Sequence, residues 1–491
     1  ALTRTGIMWP EDAPMYGRPL HAADVALSYE ALREAGRRQA RVYEAVDRID
    51  VNQTDFGESV VFSLREPSAP LLNQMTSPWH VVLPAEVVSG AESVDLSQRS
   101  LGNGPFQLEQ SDGRSNFVVT RNPSYDRMEF DGYPMPYLDQ VRGEDYSIRN
   151  QANRDAPGSA RWSAWESGVA QAIQLDGVGD VRRAREAQPD AQLQVTPPTP
   201  SGGGHFTFRS LTDGPFADVR VRAALSMALH RGSLAASVYG GLAAPDTAQN
   251  WTFFRDPQQT RYVALREWPW EEEELGEAQR YDPNRALGLL SAAGYSEGHP
   301  LQFGIDMPAA LNPAGDPYDP GPHRLAEFVV EQWEQHLHGV MDVRRFERSW
   351  ARFTDSRSDM RFRPEANPAV DLVFRDPADV EIYDVDADDL AFGSMHSTGR
   401  FNRAGINDPE IDEWAVAQRQ TLDATERVKP LERMRLKEQD HIWRILLVNP
   451  YGVHIRRDHV LNLLGTYYAK TLHLAPDQLK RTRIGQRWGS E

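Results

Sequence analysis

The chain of 491 residues is too long for one ordinary hydrophobic core, so two or more domains are expected. Its formal net charge of -18 argues against nucleic acid or an anionic membrane surface as the main partner, because both require a basic patch. It has no cysteine, which excludes a disulfide scaffold, thiol catalysis and cysteine-ligated zinc. No apolar run approaches the ~20 residues needed to span a bilayer, and no signal peptide is recognisable.

The first part of the chain predicts a helix followed by two strands. Residues 22–35 place Val25 and Tyr29 on one helical face. Residues 49–51 and 59–64 alternate apolar and polar side chains, which is typical of strands.

The stretch Gly214–Gly241 predicts a helix whose start is specified by its sequence. Asp218 is expected to cap the helix, because its carboxylate can accept hydrogen bonds from backbone amides that lack helical partners. Apolar residues then recur at helical spacing: Val221, Leu225, Ala228 and Leu229. Arg220 and Arg222 are turned away from that apolar stripe.

Two further helices carry similar signals. Gly232 is expected to end the first helix, Ser233 to cap a second short helix, and Gly240-Gly241 to end that one. Further along, Asp282 stands immediately before Pro283, an order that is typical of a cap followed by the first helical position.

Beyond its helical pattern, Gly214–Gly241 resembles the signature segment of the family 5 extracellular solute-binding proteins, the peptide-binding type that serves ABC importers. That segment has the pattern P-F-x-D-V-R-V-R-x-A-L-x-x-A-I-x-R, followed by a short helix and V-Y-x-G. The matching residues are Pro215, Phe216, Asp218, Val219, Arg220, Val221, Arg222, Ala224, Leu225, Ala228, Arg231, Val238, Tyr239 and Gly241. Similar matches extend from residue 6 to about 465, among them LGNGPFQL at 101–108, RNPSY at 121–125 and YDPNRALGLLSAAGY at 281–295.

The resemblance implies an α/β protein with the bilobal periplasmic-binding-protein fold, type II, in its large three-subdomain variety. The breaker cluster PPTPSGGG at 197–204 precedes the expected passage between the lobes. Crossing segments are expected near Arg209–Asp213 and Ile455–Asp458. The resemblance places lobe I at 1–212, lobe II at 213–456, and a C-terminal return to lobe I at 457–491. Relatives carry further lobe I strands before the first residue here.

The resemblance also implies a function. The chain is expected to be the periplasmic or extracellular substrate-binding protein of an ABC importer, to capture a peptide-like solute between two lobes, and to present it to a membrane permease. No catalysis, cofactor, metal or nucleic-acid partner is expected. One alternative for location is membrane anchorage through a preceding N-terminal segment. One alternative ligand is an oligosaccharide, whose rings would stack on some of the 12 tryptophans. In a different class, a glycoside-processing enzyme would need two carboxylates at a defined separation.

The expected ligand site lies where an apolar strand ends. Residues 371–374 form that strand, and Pro377 forces the backbone out of it after Arg375 and Asp376. Ligands of doubly wound sheets sit at the carboxyl ends of strands. The matching family segment carries the aspartate that pairs with a peptide's amino terminus, which here is Asp376. Arg375 either holds a ligand carboxylate or neutralises Asp376; the full predicted set of ligand-binding residues is Asp376, Arg375, Phe374 and Arg209. The simpler alternative is a surface turn with a local ion pair.

One acidic segment imitates the start of a calcium loop. Asp384, Asp386 and Asp388 have its spacing, but the sixth position is Asp389 instead of glycine and the twelfth is Met395 instead of glutamate. The loop therefore lacks both its sharp turn and its bidentate ligand, and no metal site is predicted.

Overall fold

In the computed structural model, the chain divides into two compact units. Unit 1 comprises residues 1–175, 180–196 and 452–491, and unit 2 comprises residues 176–179 and 197–451. The lobe boundaries expected at residues 212 and 456 stay predictions. The structure describes residues 6–11, 14–34, 43–55, 57–75, 80–96, 99–112, 116–123, 125, 129–130, 133–134, 136–144, 159–175, 178–196, 204–244, 277–310, 320–348, 369–375, 386–399, 401–402, 404–461 and 483–484.

Both units contain helices and strands. The α-helices of the described residues are α1 Ala22–Glu34, α2 Leu71–Met75, α3 Ala85–Val88, α4 Ser159–Glu166, α5 Val178–Ala187, α6 Val219–Met227, α7 Arg231–Tyr239, α8 Pro283–Ala292, α9 Pro320–His336, α10 Asp388–Leu390, α11 Pro409–Gln420 and α12 Ala424–His441. Single turns of 3₁₀-helix lie at Pro215–Ala217 and Glu277–Gln279, and a π-helix at Ala391–Met395.

The strands are mostly short. They are β1 Val46–Thr54, β2 Gly57–Leu64, β3 Phe106–Ser111, β4 Phe117–Arg121, β5 Glu129–Phe130, β6 Tyr133–Pro134, β7 Gln140–Gly143, β8 Ala172–Leu175, β9 Gln192–Thr196, β10 His205–Phe208, β11 Ala243–Ala244, β12 Leu301–Pro308, β13 Met341–Arg348, β14 Leu372–Arg375, β15 Arg444–Leu446, β16 Asn449–Pro450, β17 Gly452–Arg456, β18 Val460–Leu461 and β19 Arg483–Ile484.

Unit 1 contains several small antiparallel sheets. β1 and β2 form a hairpin, and the ring of Tyr29 on α1 packs edge-on against Phe62 of β2 at 5.5 Å between centroids. This confirms the helix and the two strands predicted for this region. Elsewhere in the unit β3, β4 and β7 form one sheet, and β17 lies between β8 and β9, antiparallel to both.

Unit 2 is built on a five-stranded sheet with the order β13-β12-β14-β10-β15. β12 is parallel to β13 and to β14, whereas β10 is antiparallel to β14 and to β15. Helices cover one face of the sheet, and the Trp333 indole of α9 donates a 2.8 Å hydrogen bond to the Leu225 carbonyl of α6. Fully buried side chains of this core include Phe206, Phe208, Leu225, Leu229, Ile305, Leu325, Trp333 and Phe374.

The signature segment folds largely as its sequence predicts. Asp218 caps α6 by accepting a 2.8 Å hydrogen bond from the backbone N–H of Arg220, which confirms the predicted cap. The predicted end of α6 at Gly232 and the predicted cap at Ser233 are both wrong, because α6 ends at Met227 and Gly232 lies inside α7. The next helix begins earlier, at Arg231, and its cap is the His230 ring, whose Nδ1 accepts a 2.8 Å hydrogen bond from the backbone N–H of Ser233. Gly240 ends this helix in the left-handed conformation.

The side chain of Arg222, predicted to point away from the apolar stripe, is buried. Its guanidinium donates hydrogen bonds to backbone carbonyls on both sides. They belong to Phe216 at 2.6 Å, Ala217 at 3.1 Å, His441 at 2.6 Å and Ile442 at 3.1 Å. Burial lowers the pKa of Arg222 to about 10, although the negative charge of Asp218 acts in the opposite direction. The residue therefore joins the start of α6 to the segment between α12 and β15.

The acidic segment 386–390 is held by arginines. Asp388 is completely buried and accepts hydrogen bonds from Gln418 Nε2 and Arg419 Nε, both at 2.7 Å. Asp386 forms a buried ion pair with Arg427 of α12. Both aspartates are thus paired with arginines inside unit 2. Asp384 lies outside the described residues.

Candidate functional site

One edge of the unit 2 sheet gathers the carboxyl ends of its parallel strands. β12, β13 and β14 end there at Pro308, Arg348 and Arg375. β15 is antiparallel to β10 and so runs in the same direction as β14. His205, the first residue of β10, reaches the same edge, opposite Arg375 on one side and Leu446 on the other. We call this row of strand ends the carboxyl edge.

A topological switch point lies at the carboxyl edge between β12 and β14. From β12 the chain passes through α9 to β13, which is the neighbour of β12 in the direction away from β14. From β14 it passes through the helices α10, α11 and α12 to β15, which lies in the opposite direction, beyond β10. Neighbouring strands whose connections leave in opposite directions create a crevice in which ligands of open α/β sheets bind. The strand order of unit 2 thus points to the same place as the predicted ligand site.

An ion pair joins β12 to β13 at the carboxyl edge. Asp306 of β12 lies directly opposite Phe346 of β13 and Val373 of β14. Its carboxylate pairs with the guanidinium of Arg348, the last residue of β13. The side chain of Asp306 is about nine-tenths buried and that of Arg348 is 24% exposed, so the arginine is the more accessible partner. A carboxylate this buried requires a bound cation, which Arg348 supplies.

The four predicted ligand-binding residues are not gathered at one place. Phe374 is completely buried, and its ring packs against Phe206 at 5.4 Å between centroids. It therefore belongs to the core that supports β14. The backbone N–H of Arg209 donates a 2.7 Å hydrogen bond to the carbonyl of Asp371, which places Arg209 at the opposite edge of the sheet from Arg375. Ligand contacts by Phe374 and Arg209 stay predictions.

The other two predicted residues belong to the carboxyl edge by sequence. The backbone of Arg375 pairs with His205 at the end of β14. Asp376 follows it and lies outside the described residues. Neither Asp306 nor Arg348 was among the residues predicted from sequence. A lone aspartate in the apolar run LQFGIDMP was the available signal for Asp306, because a buried carboxylate needs a partner.

Metal-ligand clusters and membrane-spanning helices are both missing from the described residues. In the described ranges, no group of three or more histidine, aspartate or glutamate side chains is arranged to hold a metal ion. Among the helices of the same ranges, none combines the length and the apolar character needed to cross a membrane.

Solved structures define the class of fold. A substrate-binding protein of an ABC transporter from Listeria monocytogenes, CtaP, has a TM-score of 0.70 and 17% identity, with 98% of this chain and 87% of that chain covered. The Helicobacter pylori protein DppA, solved with the peptide STSA, has a TM-score of 0.63 and 15% identity over 98% of this chain and 85% of that one. The fold is that of type II periplasmic binding proteins, which confirms the predicted fold class.

The family follows from the sequence itself. A family description, "Bacterial extracellular solute-binding proteins, family 5 Middle", matches residues 16–362. The chain belongs to this family, and the resemblance seen in Gly214–Gly241 is confirmed.

Two relatives show how far the similarity reaches. The "Dipeptide-binding protein" of Escherichia coli K12 is 25% identical over 352 residues, which cover 67% of this chain and 57% of that protein. The "Di/tripeptide-binding protein 2" of Pseudomonas aeruginosa is 26% identical over 282 residues, or 56% of this chain and 45% of that protein. The chain thus spans about half the length of these relatives.

Proposed function

We propose that this chain is the substrate-binding component of an ABC importer and captures a short peptide outside the cytoplasmic membrane for delivery to a permease. The observation that carries the proposal is the match of residues 16–362 to the solute-binding family. The relatives named for dipeptide and di/tripeptide binding favour a peptide as the solute. Capture and release need no covalent step, so the proposal includes no enzymatic activity.

An oligosaccharide is the less favoured solute. Sugar rings are bound by stacking on accessible aromatic side chains, and that was the argument from the tryptophan content. Of the six described tryptophans, Trp9, Trp165 and Trp333 are completely or almost completely buried, and Trp162 and Trp443 are also buried. These five side chains are core residues, and the sixth, Trp414, is partly buried. A peptide, bound by hydrogen bonds and charges, requires no such surface.

The most direct test identifies what the protein carries. The purified chain is denatured mildly, and the released small molecules are analysed by mass spectrometry. Peptides of a few residues support the proposal. Oligosaccharides in place of peptides would show that the chain carries the alternative ligand. Sustained hydrolysis of an added peptide or glycan, abolished by one carboxylate substitution, would refute the role of a carrier.

We further propose that Asp376 pairs with the α-ammonium of the peptide. The switch point between β12 and β14 supports this position, because Asp376 directly follows the end of β14. An ion pair shielded from water is much stronger than an exposed one. Asp376→Ala should therefore weaken the binding of tri-alanine by about 2–5 kcal/mol in isothermal titration calorimetry.

N-acetylated tri-alanine is the matched control for Asp376. It lacks the ammonium group and so should lose much less affinity from the same substitution. Equal losses for both peptides, or no loss for either, would show that Asp376 is not the ammonium anchor.

A further inference from the structure

Three buried polar atoms of unit 2 have no hydrogen-bond partner among the described residues. They are Oγ1 of Thr207 on β10, Nη2 of Arg444 on β15 and Nη1 of Arg435 on α12. Thr207 is 1% exposed, Arg435 7% and Arg444 9%. A buried donor without an acceptor costs free energy, most of all when it belongs to a charged group. Each of the three atoms therefore calls for an acceptor.

The three side chains converge on the carboxylate of Glu438. Thr207 and Arg444 are direct partners across β10 and β15, so their side chains leave the same face of the sheet with Cβ atoms about 4.5–5.5 Å apart. Arg444 Nε donates a 2.5 Å hydrogen bond to Glu438 Oε1 of α12. Arg435 precedes Glu438 by three residues and so lies on the same side of that helix. Two guanidiniums and a hydroxyl thus lie around one carboxylate, between α12 and the pair β10–β15.

The charges in this region favour an anion over a water molecule as the acceptor. Glu438 is almost completely buried and forms its ion pair with Arg444. Arg435 pairs with Glu432 instead, whose side chain is 41% exposed, so that water screens its charge. Among the described residues the interior therefore holds two guanidiniums and one unscreened carboxylate. A water molecule could accept the hydrogen bonds, but it would not compensate the excess positive charge.

We propose that Thr207, Arg435 and Arg444 bind a small monovalent anion of the halide type, such as chloride. A halide ion carries no donor of its own and accepts hydrogen bonds from all three groups. The two bonds from guanidiniums are charge-assisted, which makes them about twice as strong as neutral ones. The anion would join α12 to the middle of the unit 2 sheet. The site shares no residue with the proposed solute contacts, so it goes beyond the proposed function and does not depend on it.

The first test follows the thermal midpoint while sodium chloride replaces sodium gluconate at constant ionic strength. Gluconate is too large for a site closed to solvent. Since an ion that binds only the folded state stabilises it, each tenfold rise in chloride above its Kd should raise the midpoint by roughly 3–5 °C. Arg435→Gln should abolish this rise. Arg433→Gln, the matched control on the same helix, should preserve it, because Arg433 is exposed and its guanidinium lies 6.0 Å from the centre of the Trp414 ring.

Thr207→Val provides a second test, because its effect should depend on the anion. Valine has nearly the shape of threonine but lacks the hydroxyl group. In gluconate the substitution removes a buried hydroxyl that has no partner, so the midpoint should stay unchanged or rise. In chloride it removes one ligand of the anion, so the midpoint should fall below that of the unchanged protein.

A crystal grown in sodium bromide locates the ion directly. An anomalous difference peak within hydrogen-bond distance of Thr207 Oγ1, Arg435 Nη1 and Arg444 Nη2 supports the proposal. A midpoint that does not respond to chloride, an equal response in Arg435→Gln, or the absence of bromide from these three atoms overturns it in favour of bound water. Should Arg435→Gln not fold, the bromide peak and the chloride dependence of Thr207→Val decide, since neither requires that variant.

Discussion

The carboxylate of Asp24 in unit 1 is buried and completely surrounded by donors. It accepts hydrogen bonds from the Arg18 guanidinium, the Trp9 indole and the backbone N–H groups of His21 and Ala85, at 2.6–3.1 Å. Burial alone would raise the pKa of Asp24, but these hydrogen bonds outweigh it and lower the pKa from 3.8 to about 2. One side chain thereby ties α1 to the N-terminal turn and to the start of α3.

The Asp24 pKa predicts a loss of stability in acid. A lowered pKa means that the folded state binds the Asp24 proton less readily than the unfolded state does. The contribution of Asp24 to the free energy of unfolding is therefore complete above pH 4. This contribution should amount to about 2 kcal/mol and disappear as the pH falls from 4 to 2. Asp24→Asn should lower the thermal midpoint at pH 7, and the difference from the unchanged protein should shrink towards pH 2.

Asp47 provides the control for Asp24. Its carboxylate pairs with Arg65, and both side chains are half exposed or more. An exposed pair contributes little, so Asp47→Asn should leave the midpoint nearly unchanged at both pH values. A constant effect of Asp24→Asn from pH 7 to pH 2 would contradict the assigned cause.

Local signals explain which single residues could be predicted. The caps at Asp218 and Asp282 follow from neighbouring residues, and the structure confirms both. The burial of Arg222 could not be predicted, because its acceptors at residues 441 and 442 lie more than 200 positions away in sequence. His230 was missed as a cap because serine is much the commoner residue at that position.

At the scale of elements, β12 depends on close backbone packing at Gly304. The backbone N–H of Asp371 donates a 2.8 Å hydrogen bond to the Gly304 carbonyl, and the Asp371 carboxylate accepts a 2.9 Å hydrogen bond from the Gly304 N–H. A Cβ at Gly304 would lie only 1.9 Å from the carbonyl oxygen of Ala369. This contact sets the approach of β14 to β12 and so the position of the switch point.

Gly304→Ala is expected to destabilise unit 2 by about 3 kcal/mol, because a backbone atom must move to make room. Gly288→Ala is the matched control, since Gly288 lies in α8 and a Cβ added there would point into open space. It should stabilise by about 0.5–1 kcal/mol through helix propensity. Urea denaturation monitors both, and similar effects of the two substitutions would contradict the packing argument.

The elements of the site show where prediction from sequence reached its limit. A strand at residues 371–374 was predicted from an apolar run followed by proline, and β14 lies one residue further along, at Leu372–Arg375. The strand order was not predicted, because the partners of His205 are 170 residues or more away along the chain. Without that order, Asp306 and Arg348 could not be assigned to one place, and Arg209 could not be separated from Arg375.

At the scale of the whole molecule, a carrier should be stabilised by its solute. A ligand that binds only the folded state adds RT ln(1 + [L]/Kd), which is about 2.7 kcal/mol at a hundredfold excess over Kd. Tri-alanine should therefore raise the thermal midpoint in a concentration-dependent way and be recovered chemically unchanged. A midpoint that does not move at saturating peptide would contradict the proposed role.

The position of β15 and β17 in their sheets has a consequence for the order of folding. β17 is the middle strand between β8 and β9, and β15 is the only partner of β10 on its outer side among the described strands. Both strands lie within residues 444–456, more than 230 residues after the strands β8, β9 and β10 with which they pair. During synthesis, neither sheet can be completed until the ribosome has passed this segment. Strand pairs so distant in sequence form slowly. A nascent chain that stops before residue 444 would leave strands of both units with open edges, exposed to chaperones and to aggregation.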